Sequence, residues 1–414
     1  MFAKVKHFTG EIPTQNQVEL SPVSASFFKY LRVISCLGGI FRRVNPGEKM
    51  TKWDRLKLVY VIFVKIVLMT SVVFFFIATY NFAIDSKPVA RLLAFCTVML
   101  LGVYLSFVYS IFLSKAFQLL HVRICKYEER YGFSDGFKKW MRKLRAMVIV
   151  VPLFAVVLIP LKYFMTMGYP EVRDDIYPTN TFMEPWKSVG LVITSIGYTC
   201  LEIQWQSSFI VVHFLSLFLW QEFNRVDTQF QELANSQRGD TEARFNTLVI
   251  HHVWITEVLE DINNYVQHFI FTCVFMTLPV ICTMVYSILS NPVNSVEVIA
   301  YSTACVCTLL GFGLILRVGA LVSSKAHGTL QYVWRLDKER FSGTGLQKMN
   351  LFVSRLTGDS IGYNIHGLFT ITMPTLLGIV GTLVTYIIVV VQFKPPDTSC
   401  QCNMFRNLTE DDMR

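Results

Sequence analysis

Long apolar runs alternate with polar, mostly basic segments along the chain. The last run, residues 366–393, contains no Asp, Glu, Lys or Arg and exceeds the roughly 20 apolar residues that a helix needs to cross a bilayer. Six earlier runs are similar, with at most isolated charges. The pattern predicts an all-α membrane protein with seven transmembrane helices. Helices one to four fall in 58–220 (near 58–84, 91–114, 146–168 and 188–220), helices five and six in 269–322 (near 269–290 and 298–322), and helix seven in 366–393.

The polar segments have patterns of their own. Residues 1–57 include a stretch, 26–43, that alternates apolar and basic residues, which predicts an amphipathic helix at the cytoplasmic membrane interface. Residues 221–268 are predicted to form a cytoplasmic helical hairpin, and residues 323–365 a cytoplasmic amphipathic helix. Such apolar stripes must be buried against protein. In the hairpin the stripe consists of Ile255, Val258, Leu259, Ile262, Val266 and Phe269, and Gly239 breaks the pattern before it.

The distribution of basic residues predicts the orientation in the membrane. The N-terminal segment and the links after helices two, four and six hold 28 Lys and Arg, whereas the opposite links and the C-terminal segment hold six. Because basic residues concentrate on the cytoplasmic side, we expect a cytoplasmic N-terminus and an extracellular tail, residues 394–414. The sequon Asn407-Leu408-Thr409 agrees, since Asn407 could carry a glycan only outside the cytosol.

Composition excludes several functions. Hydrophobic residues make up 53% of the chain and charged residues 16%, against about 25% charged residues in soluble domains. The net charge is +9, and the basic residues that produce it flank the apolar runs. They therefore indicate membrane anchoring and lipid contact rather than nucleic-acid binding. No G-x-S-x-G, H-E-x-x-H or P-loop motif occurs, so we predict neither an enzyme nor a cofactor. Cys400 and Cys402 are too close in sequence to favour a disulfide with each other.

The histidines near the predicted hairpin have two interpretations. With Glu257 and Glu260, the side chains of His251, His252 and His268 could form a metal site. A solvated or helix-packing role is the favoured interpretation.

Seven helices would suggest a G-protein-coupled receptor. Those receptors have the opposite orientation, and no N-P-x-x-Y motif ends the seventh helix here. A secondary transporter is a second alternative, but no internal repeat or pair of broken helices is visible. An intramembrane enzyme would need a polar catalytic cluster that the sequence lacks.

The end of the last run carries a motif. Thr385-Tyr386 is followed by five apolar residues and then by Gln392-Phe393. This resembles the signature of insect gustatory receptors, which are relatives of the insect odorant receptors. The length, the predicted orientation and the long extension between helices four and five resemble that family too. An acid often follows the Thr-Tyr pair in its sugar-type members, and Ile387 stands there in this chain.

The resemblance implies a function. It implies a ligand-gated cation channel in the plasma membrane of sensory neurons, assembled as a homotetramer or as a heterotetramer with related subunits. The ligand would be a small-molecule tastant, a sugar or a bitter compound. Helix seven would line the pore, and the cytoplasmic extensions would form an anchor domain.

The resemblance also favours particular pore residues. Val389 and Phe393 are four residues apart on one helix face, with Gln392 beside them. Rings of four would form a constriction that gates by dewetting, and the amide ring would aid hydrated cations. Thr385 and Tyr386 lie deeper and either face the lumen or bond to neighbouring helices. The alternative for Gln392 and Phe393 is a belt at the membrane interface.

A second group of residues predicts the ligand site. An acid at the bilayer centre costs about 2.5–3.5 kcal/mol, so Glu202 must face protein or a water-filled cavity. Its alternative role is a structural ion pair with Lys65, Lys162 or Arg317. Its helix face also presents aromatic and amide groups, which suit a polyhydroxylated or amine-bearing ligand. These candidates are Tyr198, Trp205 and Gln206, with Tyr104, Tyr109 and Trp186 as weaker ones.

Overall fold

The computed structural model describes residues 22–37, 51–84, 100, 102–105, 108, 114–141, 186–236, 240–290, 295–358 and 360–392. Helices account for nearly all of them. With defined ends these are α1 (Pro22–Leu37), α2 (Lys52–Ile84), α3 (Ser114–Tyr131), α4 (Trp186–Asn235), α5 (Thr241–Ser290), α6 (Ser295–Gly328), α7 (Leu330–Val333), α8 (Gly343–Gly358) and α9 (Met373–Gln392). Lys338–Arg340 form a 3₁₀ turn, and the short strands β1 (Asn364–Ile365) and β2 (Phe369–Thr370) pair antiparallel.

Several helices have the length and composition of membrane spans. Among the described helices, four contain such a segment, and a shorter apolar segment lies in α9. Predicted span 146–168 and much of predicted span 91–114 lie outside the described residues. The four segments are Lys52–Val73, Ser195–Asn235, Thr241–Val285 and Cys305–Val333, and the shorter one is Met373–Val389.

The helices α4 and α5 are much longer than a bilayer is thick. Each has 50 residues, or about 75 Å at 1.5 Å per residue, against about 30 Å of hydrocarbon. The extensions of these two helices outside the predicted spans, residues 221–235 and 241–268, share one buried core. The six stripe residues predicted from Ile255 to Phe269 are all at most 2% exposed, which explains why this polar sequence is helical.

The N-terminal helix α1 packs on protein. Phe27, Phe28, Leu31 and Ile34 repeat at helical spacing and are at most 3% exposed. They face α3 and α4. The apolar face predicted to meet the membrane interface is therefore buried within the chain.

Aromatic rings fill the core where these extensions meet. Phe218 of α4 lies between Phe27, Phe133 and Phe137, with ring centroids 5.1–6.2 Å away. A second group joins α4, α5 and α8 through Phe230, Phe245 and Phe352. Large buried rings at these crossings supply much of the apolar burial that holds the extensions together.

The last helix begins at Met373, whereas the sequence predicted it from His366. His366 and Gly367 have positive φ angles of 49° and 76°, so the chain reverses there and forms the β1–β2 hairpin. The Thr372 hydroxyl accepts a bond from the Thr375 amide at 3.3 Å. This caps the new helix, and Pro374 fits its first turn because an amide there needs no partner within the helix.

Candidate functional site

Among the described residues, the last helix, α9, packs on the rest of the chain along one stripe. Leu383 is buried, and Leu376 and Ile379 pack on the core at the spacing of one helix face. The remaining sides are open: Leu377 is 70% exposed and Tyr386 50% exposed. A 20-residue apolar helix with this much exposed surface requires lipid, other protein or both around it.

The small and polar side of α9 belongs to the open surface. A methyl group added at Gly378 or Gly381 would meet no atom within 4 Å in the part of the chain that the structure describes. The hydroxyl groups of Thr382 and Thr385 donate to the carbonyls of these two glycines at 2.9 Å. The Thr385 hydroxyl therefore donates to its own helix.

The other predicted pore residues lie on the same open helix. Gln392 is exposed, and Val389 is 38% exposed. Phe393 lies outside the described residues, as do Asn407 and the predicted tail.

The β1–β2 hairpin and the residues beside it hold the start of α9 in place. Tyr363 is 1% exposed, and its hydroxyl lies 2.7 Å from Ser216 Oγ of α4. The Ile371 amide donates to the Tyr363 carbonyl at 2.9 Å. Gly319 of α6 lies under both side chains, since a methyl group there would come within 3.1 Å of Ile371 and 3.3 Å of Tyr363. Rigid contacts with α4 and α6 thus fix where the last helix starts.

A histidine ties α8 to the same hairpin. His327 of α6 has its Nδ1 2.9 Å from the Leu356 carbonyl, and its Nε2 accepts the Ile361 amide at 3.1 Å. Because Nε2 accepts, Nδ1 must carry the proton and the ring is neutral. The end of α8 and the entry to β1 therefore share one anchor.

The residues predicted to bind a ligand are divided by the structure. Trp205 packs inward, with its ring centroid 5.4 Å from Phe269 of α5, and its buried Nε1 has no partner among the described residues. Gln206 is exposed and Glu202 half-buried. The side chains of Tyr198 and Trp186, and all of Tyr109, lie outside what the structure describes.

Tyr104 instead contacts α5. Its hydroxyl lies 3.2 Å from Nδ1 of His268. Nearby, the Gln204 amide donates to the Gly102 carbonyl at 2.8 Å, and Gln204 is buried. Sequence reasoning gave no role to Gln204, although an amide within an apolar run was the available signal.

A buried polar cluster joins α3, α4 and α5. The Tyr127 hydroxyl donates to Glu222 Oε2 at 2.9 Å, and the Ser134 amide donates to Oε1 at 2.9 Å. His251 Nε2 lies 2.8 Å from the Tyr127 oxygen. Because the Tyr127 hydroxyl hydrogen points at Glu222, Nε2 of His251 is the donor in the second bond. Arg225 lies 3.7 Å from the carboxylate and caps the end of α3. The sequence analysis missed this cluster, whose members are distant along the chain.

Burial shifts the pKa values of this region, which lies outside the predicted spans 188–220 and 269–290. It raises the pKa of Glu222, and the bonds from Ser134 and Tyr127 act against that rise. It lowers the pKa of His251 to about 4, with a smaller contribution from Arg225. Burial also lowers the pKa of His252 to about 4. His252 Nε2 lies 3.0 Å from the Ala326 carbonyl, and the ring packs between Phe223 and Phe352.

The neutral His252 predicts a loss of stability in acid. Its folded pKa of about 4 lies below the unfolded value of about 6.5, so its contribution is present above pH 6.5 and is lost as the pH falls towards 4. Between pH 7.5 and 5 the loss is about 2 kcal/mol of unfolding free energy. Thermal unfolding of the purified protein should therefore depend less on pH in His252→Phe than in the wild type. Parallel curves for the two proteins would contradict this assignment.

Comparison with known proteins identifies the class. Residues 27–395 match the family described as 7tm Chemosensory receptor, and the chain belongs to that family, which consists of receptors rather than enzymes. Its fold is similar to that of the insect olfactory receptor OR5 from Machilis hrabei in complex with eugenol. The TM-score is 0.65 at 16% identity, covering 89% of this chain and 98% of that one. A second structure of that receptor gives a TM-score of 0.67 at the same identity and coverage. No curated protein sequence matches this chain significantly.

The family match confirms the relationship to insect chemosensory receptors, and the similar fold confirms the predicted all-α membrane class. The motif from Thr385 to Phe393 predicts the first, and the apolar runs predict the second. These matches do not distinguish gustatory from olfactory receptors.

Proposed function

We propose that the protein is a gustatory receptor that acts as a tetrameric, ligand-gated, non-selective cation channel in the plasma membrane of sensory neurons. A small-molecule tastant, a sugar or a bitter compound, opens it. The assembly is a homotetramer or a heterotetramer with related subunits. The predicted orientation, with a cytoplasmic N-terminus and an extracellular tail, is part of this proposal.

One observation carries the proposal: among the described residues, nothing packs on the glycine and threonine face of α9. In a membrane, small residues allow helices to approach closely, and exposed threonine and glutamine side chains need water or protein. Four copies of α9 around an axis meet both needs. Gln392 and Val389 then line the outer part of a pore, and Leu376, Ile379 and Leu383 hold each copy to its subunit.

The ligand site is proposed in the membrane half of α4. Trp205 offers an indole N–H that has no partner among the described residues, and Glu202 lies one turn away on the same helix. A ligand with a hydroxyl or amine group would bond to the indole N–H and lie beside Glu202, while the rings of Trp205 and Phe269 contact its apolar part. Eugenol, the ligand of the OR5 complex, is a small aromatic molecule with a hydroxyl group.

A transporter is the alternative function, and electrical recording distinguishes the two. A channel gives unitary currents, whereas a transporter gives a saturating flux coupled to an ion. We expect sugars or bitter compounds to evoke single-channel currents from cells that express the chain.

The substitution Gln392→Ala is expected to change the unitary conductance or ion preference, because it removes four amides from the pore lining. The matched control is Val391→Ala, one residue away and rotated by about 100° on the helix. Equal currents in both variants and the wild type would move the pore away from α9. If the wild type reaches the cell surface, alone and with a related subunit, and no ligand evokes a current, the transporter would be favoured.

A further inference from the structure

Two histidines link α5 to the hairpin that precedes the last helix. The ring centroids of His268 on α5 and His366 in the hairpin turn are 4.7 Å apart, and the ring planes cross at 62°. The Tyr104 hydroxyl lies 3.2 Å from Nδ1 of His268. The Phe271 ring borders His366 at 5.3 Å. His366 is exposed and His268 half-buried, so a small ion can reach the pair.

The backbone at His366 gives a second, independent observation. Among the described residues, His366 is the only non-glycine with a positive φ, at 49°. The left-handed region is unfavourable for residues with a Cβ, and glycine adopts it freely. Gly367 beside it shows that the same turn accommodates glycine. An imidazole on a disfavoured backbone suggests that the side chain itself has a role.

We propose that His268 and His366 bind one divalent transition-metal ion of the Zn²⁺ class, and that Tyr104 holds His268 in the binding tautomer. Two imidazoles on one tetrahedral Zn²⁺, with Zn–N bonds of about 2.0 Å, have ring centroids roughly 5 Å apart. The observed 4.7 Å separation is within a small side-chain movement of that value.

The role of Tyr104 follows from the two nitrogens of His268. When Nδ1–H donates to the tyrosine oxygen, Nε2 carries the lone pair that a metal requires. Partners of this kind orient metal-binding histidines in many sites. No group of three or more His, Cys, Asp or Glu side chains forms a metal site among the described residues. Among these residues the proposed ion has His268 and His366 as its ligands, and water completes its shell.

The chemistry of the ligands selects the ion. Imidazole nitrogen suits Zn²⁺, Cu²⁺ and Ni²⁺, whereas Ca²⁺ and Mg²⁺ prefer oxygen ligands. A bound ion would connect α5 to the turn between β1 and β2, a few residues before α9 begins at Met373. The site thus places a metal-dependent link at the base of the last helix. The binding itself does not depend on the proposed channel activity.

The test is calorimetric titration of ZnCl₂ into the purified full-length protein after removal of any polyhistidine tag. We expect one saturable site per chain, with no heat from Ca²⁺ or Mg²⁺ at the same concentrations. His268→Gln and His366→Asn should each abolish that site. Asparagine is the choice at 366 because it tolerates the left-handed backbone. Tyr104→Phe should keep the site and weaken it by about 10-fold to 100-fold, as loss of an orienting partner does.

His213→Ala is the control for non-specific binding by imidazole. His213 is half-buried on α4, with its ring 6.5 Å from that of Trp140, and its loss should leave the affinity unchanged. Unfolding temperatures without metal establish that each variant is folded. If His268→Gln does not fold, His366→Asn alone decides. Wild-type affinity in folded His366→Asn, or no Zn²⁺ binding by the wild type, would overturn the proposal.

Discussion

Replacing Glu222 by alanine is expected to destabilise the protein by about 3–5 kcal/mol, the usual result of removing one partner from a buried charged network. The side chain of Glu222 is fully buried. Its two oxygens accept bonds from the Tyr127 hydroxyl and the Ser134 amide, each at 2.9 Å. Alanine would leave both donors buried without partners, and each such donor costs about 1–3 kcal/mol.

The consequences would extend to three helices, because Glu222 joins α4 to α3 directly and to α5 through Tyr127 and His251. Glu222→Gln should be less harmful, at about 1–3 kcal/mol, since it keeps the volume and one acceptor oxygen. Glu232→Ala is the matched control on the same helix, where the side chain is exposed and the expected change is within about 0.5 kcal/mol. The measurement is the unfolding temperature of the purified protein. Equal values for Glu222→Ala and Glu232→Ala would show that the cluster contributes nothing to stability.

Hydrophobic periodicity was sufficient to predict the long helices but not the contacts between them. The stripe from Ile255 to Phe269 repeats at helical spacing, and burial of that stripe is what makes α5 helical. The cluster around Glu222 left no such pattern, because Tyr127, Glu222 and His251 come from three separate segments. Local sequence does not show which buried polar groups will form hydrogen bonds with each other.

The hairpin before α9 escaped prediction for a different reason. Residues 360–372 are as free of charge as the helix that follows, so hydropathy alone merges the two. The available signal was the pair His366-Gly367, since glycine favours the positive φ that ends regular structure. The contact between Trp205 and Phe269 of α5 could not be predicted either, because it depends on tertiary structure.

The contacts of Tyr363 at the base of α9 predict a second large change in stability. Tyr363→Ala is expected to cost about 3–5 kcal/mol, as for other large buried rings, because it empties the space between α4 and Gly319 of α6. Tyr363→Phe removes only the hydroxyl. Ser216 Oγ keeps its bond to the Val212 carbonyl at 2.8 Å, so the expected cost is about 1 kcal/mol. Thermal unfolding of the two variants measures the difference.

The same pair tests whether these contacts control the last helix. If ring packing fixes where α9 starts, ligand-evoked current should persist in Tyr363→Phe and be lost in Tyr363→Ala at temperatures where both remain folded and at the cell surface. Ser216→Ala is the matched control, since it removes the other half of the hydrogen bond and leaves the ring in place. Loss of current in Ser216→Ala and Tyr363→Phe alike would assign the coupling to the hydrogen bond. Full current in folded Tyr363→Ala would mean that α9 is positioned by its own stripe, Leu376, Ile379 and Leu383, without the hairpin.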